Sequence, residues 1–383
     1  MPPHSAWLLL PLAVAIGACS AAAPAGSDDS ASDALQADAA TTAASVGKLI
    51  FFDKQLSNPP GQACSSCHDP SRAFADPRPG PTSQGAVTGR FGPRNSPSIM
   101  YASFVPPLAA AGDETGFAGG LFLDGRSPSL EAQVESPLLN PIEMNNADHA
   151  AVVAKVRHGQ YASKFKKVFG KDVFNDVEVA FGHIEDAIAA YERTGITGRF
   201  TSKYDAFLAG KVQLTDSETR GLALFEDERR GNCASCHFDK INDDGSPPLF
   251  TDFGYDNLGI PRNPDNLFYT LPPDLNPAGA SFVDHGLSGA IINPRQDGKF
   301  KAQTLRNIAI TAPYGHNGYF KDLRSIVEFY NSRDLRSAHW DAPEIAFDMN
   351  VVDMGNLGMT EDDITDVVAF LGTLTDGYKI PKK

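Results

Sequence analysis

The 383 residues carry 33 lysines and arginines against 47 aspartates and glutamates, a formal net charge of −14. That balance excludes the basic face that nucleic-acid binding needs and allows electrostatic steering of a basic protein partner. With 42% apolar and 21% charged residues the composition is globular rather than disordered, and the length suits two domains of roughly 100–200 residues each.

Residues 7–18 (WLLLPLAVAIGA) are an apolar run too short for the roughly 20 residues that span a bilayer, and they fit the hydrophobic region of a secretory signal. The run ends in Ile16-Gly17-Ala18-Cys19, which resembles a bacterial lipobox, so 1–18 reads as a lipoprotein signal and Cys19 as the lipidation site. The leading MPPHSAW lacks the usual lysine or arginine, and an ordinary signal with an incidental cysteine is the alternative. Residues 19–45 are rich in Ala, Ser and Asp and cannot bury enough surface to offset their ordering entropy. They are expected to form a flexible tether reaching roughly 25–30 Å. The expected location is the periplasm, with lipid anchoring to a bacterial membrane.

Residues 46–56 are predicted to form a short helix, and 57–130 a long Gly/Pro/Ser-rich loop region of the kind that is functional or wraps around something. Helical spacing continues through 148–170 and 176–193, the latter with Val179, His183, Ile184, Ala187, Ile188 and Tyr191 on one face. Further helices are predicted at 217–226, 322–330 and 360–374, the last with Thr360 as N-cap and Asp363 in the capping-box position. Residues 238–300 read as loop, and no strand alternation extends over six residues. The fold class is mainly α, with two similar units in tandem.

The repeated unit is centred on Cys64-Ser-Ser-Cys67-His68 and Cys233-Ala-Ser-Cys236-His237. C-x-x-C-H is the attachment signature of c-type haem: two thiols add to the two vinyl groups and the histidine supplies the proximal nitrogen. A zinc ribbon would need the pairs about 15–20 residues apart, and a thioredoxin-like pair would sit in a βαβ pattern. A plain disulfide leaves the histidine after each pair unexplained. Two covalent haems are therefore expected, packed against the loop-rich segments.

Several segments resemble the bacterial di-haem cytochrome c peroxidase family, including its MauG branch. They are Arg94-Asn-Ser-Pro-Ser98; Leu121-Phe-Leu-Asp-Gly-Arg126 with Ser129-Leu-Glu-Ala-Gln133, Pro137 and Pro141-Ile-Glu-Met144; and Gln303-Thr-Leu-Arg-Asn307 with Thr311-Ala-Pro-Tyr-Gly-His-Asn-Gly318. The resemblance spans residues 46–375. It implies two cytochrome-c-like domains, here 46–208 with a peroxidatic haem and 209–383 with an electron-transfer haem. Hydrogen peroxide is the implied substrate.

The resemblance also implies site residues. Glu143 matches the carboxylate over the peroxide-binding iron, where it can move a proton from the inner to the outer peroxide oxygen. Gln133 and Pro137 match a hydrogen-bond donor and a steric wall of the distal pocket. Classical members place a distal histidine after the first C-x-x-C-H. Residues 69–148 contain none and read Thr82-Ser83-Gln84 there, so the first haem is expected to be open. At the second haem, Tyr330 lies where classical members carry methionine and MauG-branch members tyrosine; an anionic oxygen ligand lowers the potential. The alternative is a core tyrosine at 330, with Met349, Met354 or Met359 as ligand. His316 is expected near the second haem in a supporting role. Asn95, Thr311 and Pro313 match a calcium site, and oxygen-only ligation suits that ion. Leu123 replaces the family's inter-haem tryptophan, which puts fast hole transfer between the haems in doubt.

Three functions compete. The first is a peroxidase fed by a small periplasmic cytochrome c or cupredoxin. The second is a MauG-like enzyme that oxidises residues of a partner protein. The third is a pure electron carrier, which the lack of a second strong ligand at the first haem disfavours.

Overall fold

The computed structural model describes residues 42–381 apart from 79, 113–115 and 243–244. The signal, Cys19 and nearly all of the tether lie outside the described residues. The first helix, α1, covers 42–51. It begins inside the expected tether, because Ala44 and Val46 are buried in the core, and it stops five residues short of the predicted end.

The chain continues through α2 (Leu130–Leu139), α3 (His149–His158), α4 (Ala162–Phe169), α5 (Val177–Glu192), α6 (Lys203–Leu208), α7 (Asp216–Glu226), α8 (Leu287–Ile291), α9 (Leu323–Ser332) and α10 (Glu361–Gly372). The single helix expected over 148–170 is two, broken at Gly159, where α3 ends with extended backbone. On α5 the buried face runs through Ala180, Phe181, Ile184, Ala187, Ile188 and Tyr191. Val179 is 52% exposed, and His183 lies at the edge of that face, stacked on Phe169 and bonded to Asp186. Thr360 and Asp363 form the expected capping box at α10. Two short antiparallel pairs complete the order: β1 (Ala109–Ala111) with β2 (Gly116–Ala118), and β3 (Tyr255–Asp256) with β4 (Phe300–Lys301).

The two largest apolar cores divide the sequence between them. Buried members of one lie between Val46 and Tyr191; those of the other run from Tyr204 to Leu374. Each core contains a helix crossing closed by a glycine. A Cβ on Gly47 of α1 would run into the Ala187 carbonyl of α5, and one on Gly221 of α7 into the Asp366 carbonyl of α10. Each glycine helix precedes a C-x-x-C-H turn in the chain.

Candidate haem sites

Both attachment motifs fold as the same turn. Cys64–Ser66 and Cys233–Ser235 are single 3-10 turns, and His68 and His237 each donate their backbone N–H to the first cysteine's carbonyl at 2.9 Å. The Nδ1 of His68 lies 3.1 Å from the Phe74 carbonyl, and that of His237 lies 2.9 Å from the Phe250 carbonyl. A carbonyl only accepts, so Nδ1 carries the proton and Nε2 is left as the ligand nitrogen, the usual way a metal-binding histidine is oriented. Phe74 and Phe250 reach these positions in left-handed backbone, φ 57° and 54°. Burial lowers the basicity of both imidazoles, which favours the neutral, ligating form. All four cysteines are unbridged thiols, and burial pushes Cys64, Cys233 and Cys236 up to about 12.

Around the first turn, Gln62 Nε2 and Arg78 Nη2 donate to Cys67 Sγ at 3.3 and 3.1 Å. The same two side chains donate to the Gln84 carbonyl at 3.2 and 2.9 Å. Gln84 thus contributes its backbone to this site. Ala86 N–H bonds the Glu143 carbonyl at 2.7 Å, and Gly85 sits where a Cβ would strike the Ile142 and Glu143 carbonyls. This close approach seats the Pro141–Met144 segment beside the attachment turn.

Glu143 ends a turn begun by Asn140, whose Nδ2 donates to Glu143 Oε1 at 2.7 Å. Burial raises the Glu143 carboxyl above its ordinary range, opposed by the Asn140 bond and the Arg126 charge. The residue as a whole is half-buried. Met144 N–H bonds the Pro137 carbonyl at 3.1 Å, which folds the turn back onto α2. Gln133 and Pro137 lie one turn apart on the half-exposed face of α2, while Val134 and Leu138 enter the core. Asn140 was not singled out from sequence, although Asn-Pro is a turn initiator that could have pointed to it. Glu192, at the end of α5 beside Cys64, was also missed; burial raises its carboxyl to about 8.

The second turn opens on a cavity of about 270 Å³. His237 and both cysteines line it together with Tyr330, Met354 and Met359, whereas Met349 does not. Phe225, Leu305, Val327 and Leu371 give it apolar walls. Burial, Cys236, Cys233 and Asp256 all raise the Tyr330 phenol. His316 also lines the cavity, stacked on Phe300 at 3.8 Å with 6° between the rings. Its Nε2 lies 3.6 Å from Glu344. Both its ring nitrogens and Glu344 Oε1 are, among the described residues, the buried side-chain atoms without hydrogen-bond partners.

Leu123 lines the same cavity and its carbonyl accepts from Lys301 N–H at 2.9 Å. Buried Lys301, lowered to about 8 by desolvation, bonds the Gly120 carbonyl. Arg94 bridges Asp284 (2.6 Å) and Asp124 (2.6 Å). Asn95, Thr311 and Pro313 line this cavity and also a small one of about 10 Å³ beside it. Asn95 Nδ2 is spent on the Pro81 carbonyl, which leaves Oδ1 as an acceptor. The described residues contain no cluster of three or more His, Cys, Asp or Glu that could hold a metal ion.

These residues fit covalent haem. Each turn offers two thiols and an oriented imidazole, and the large cavity pairs apolar walls with orphaned polar atoms, matching a macrocycle with polar edges. Two such turns on a mainly helical chain define a di-haem c-type protein. The family model for di-haem cytochrome c peroxidase matches residues 41–213. The methylamine utilization protein MauG of Paracoccus denitrificans is 38% identical, covering 96% of this chain and 94% of its own. The cytochrome c551 peroxidase of Nitrosomonas europaea is 30% identical, over 88% and 82%. The crystal structure of the di-haem peroxidase BthA from Burkholderia thailandensis aligns with a TM-score of 0.77 and 36% identity, over 88% and 86% of the two chains. The chain belongs to the di-haem cytochrome c peroxidase and MauG family.

Proposed function

We propose that this protein is a periplasmic peroxidase that reduces hydrogen peroxide at the first haem with electrons arriving through the second. The observation that carries this reading is an asymmetry. Two attachment turns of one geometry are followed by different partners, the Glu143 carboxyl at the first and the Tyr330 phenol at the second. When bound, the first haem supplies the iron that takes up peroxide and the second a store of electrons.

Glu143 moves the proton between the two peroxide oxygens. Asn140 holds its Oε1, which leaves Oε2 for the exchange. Gln133 would serve as a hydrogen-bond donor to the substrate and Pro137 as a steric wall beside it, from one half-exposed face of α2. His237 and Tyr330, which line one cavity, would hold the second iron. Burial and Asp256 oppose a free phenolate, so a bound ferric iron would have to supply the compensating charge. The two apolar cores support reading 46–208 and 209–383 as haem-binding units, with α6 packing on the second. Asn95 Oδ1 and the carbonyls of Thr311 and Pro313 would hold a calcium ion, and Cys19 would carry the lipid anchor.

A MauG-like role, oxidising residues of a partner protein, is the second reading. Tyr330 in the second cavity favours it, and Leu123 weakens it by placing an aliphatic side chain where the family carries an oxidisable ring. The test is peroxide turnover from the fully oxidised holoprotein, with a reduced small cytochrome c or cupredoxin supplied. Rapid turnover without prereduction supports the peroxidase. Slow turnover, with oxidising equivalents outliving the peroxide, supports the second reading.

A further inference from the structure

We infer that Arg78 tunes the first haem: held against the attachment sulfur of Cys67, its positive charge raises that haem's affinity for electrons and so draws them to the site where peroxide is reduced. The purpose rests on the peroxidase reading; the evidence does not. Arg78 Nη2 lies 3.1 Å from Cys67 Sγ, and Nη1 donates to the Gln84 carbonyl at 2.9 Å. In the loaded protein that sulfur is a thioether bonded to the macrocycle, so a charge in contact with it acts on the haem it joins.

The guanidinium is held from several sides. Its Nε and Nη2 donate to Asp76 at 2.9 and 2.6 Å, and Asp76 also accepts the Arg78 backbone N–H at 2.8 Å. Ser83 Oγ donates to the same carboxylate and shares a hydrogen bond of 2.7 Å with Ser96 Oγ. A planar fork reaches sulfur, carbonyl and carboxylate at once, which an ammonium on a flexible stem does not do. Asp76 does not cancel the charge at the sulfur. After burial, Arg78 is the strongest influence on the Cys67 thiol, ahead of Asp76.

Gln62 separates charge from contact. It is neutral, and its Nε2 makes the same two bonds, to Cys67 Sγ at 3.3 Å and to the Gln84 carbonyl at 3.2 Å. Sulfur and carbonyl are thus each held by both side chains, and what Arg78 adds to Gln62 is positive charge. At the second site the neighbour of Cys236 Sγ is instead Asp256, 3.8 Å away. A cation stabilises the reduced, more negative haem and an anion disfavours it, most where burial limits screening by water. Electrons given up at the second site are taken up at the first, where with protons they convert peroxide to water.

The test is a spectroscopic redox titration of the two-haem holoprotein, without peroxide. R78Q should lower the first haem's potential and leave the second haem's in place, with both haems still attached. R78K keeps the charge and should stay near the parent. Q62L removes the neutral contacts and should leave the potential unchanged. D76N removes the counter-charge and should move the potential upward, an arm that stands even where R78Q fails to take up haem. An unchanged first potential in R78Q, an equal fall in Q62L, or a downward shift in D76N would overturn the inference. Peroxide turnover plays no part in these readings, so its absence from the parent would count against the peroxidase reading alone.

Discussion

Cys67 and Cys236 occupy the same place in two copies of one turn, yet they face opposite charges. At Cys67 the neighbour is Arg78, 3.1 Å away and ion-paired to Asp76. At Cys236 it is Asp256, 3.8 Å away, with Asp252 and Asp353 adding to the negative field. The turn, the carbonyl on Nδ1 and the glycine crossing behind it are shared, so they answer to what both sites do: attach a haem and aim a histidine. What lies beyond the turn differs. Gln62, Gln84 and the Glu143 segment stand around the first turn; the second turn faces a cavity lined by Tyr330 and apolar side chains. The proposed division of labour between the sites rests on side chains outside the repeat.

The comparison breaks most sharply if the sites are deleted one at a time. C64A/C67A should reduce covalent haem from two to one per chain, measured by pyridine haemochrome, and abolish peroxide turnover. C233A/C236A should also leave one haem, with turnover from a protein donor lost. Equal residual turnover in both variants would deny that the sites differ in role.

Glu143→Gln tests the first site alone. Its kcat should fall by about 10²–10⁴-fold with haem content unchanged, the range for loss of a positioned proton carrier. A drop of less than threefold would remove Glu143 from the chemistry. Tyr330→Met tests the second: the potential of that haem should rise, since a neutral thioether replaces an anionic oxygen. An unchanged potential in a redox titration would assign the ligand to Met354 or Met359, which share the cavity.

Much of this was legible in sequence because it is local. The C-x-x-C-H spacing and the Thr360–Asp363 cap need only neighbouring residues, whereas Tyr330 was reached through the family resemblance. The resemblance also placed Glu143, Gln133 and Pro137 on adjoining segments, where Met144 N–H ties one to the other. Less visible were features made by residues far apart. Arg78 meets Cys67 across 11 positions, and Asp353 meets Asn232 across 121. The break at Gly159 was missed because apolar spacing continues on both sides of it. On α5 the periodicity placed Ile184, Ala187, Ile188 and Tyr191 correctly on the buried stripe, whereas at the start of the helix Ala180 and Phe181 are buried instead of Val179.

The smallest expected effect concerns Glu192, which has no counterpart assigned beside Cys233. Its folded pKa of about 8 lies above the ordinary 4.5. Between those values the folded state holds the extra proton, so stability falls as pH rises through that window. The slope is at most about 1.4 kcal/mol per pH unit for a single group. Glu192→Gln should flatten the Tm–pH profile from pH 5 to 8 and raise Tm at the alkaline end. A profile parallel to the parent's would mean that Glu192 does not titrate there.

The central claim is that one haem is open and the other closed by Tyr330. Electron paramagnetic resonance of the resting diferric protein addresses it directly. One high-spin and one low-spin ferric signal, the low-spin signal lost in Tyr330→Phe, is the predicted result. Two low-spin signals in the parent would contradict the account.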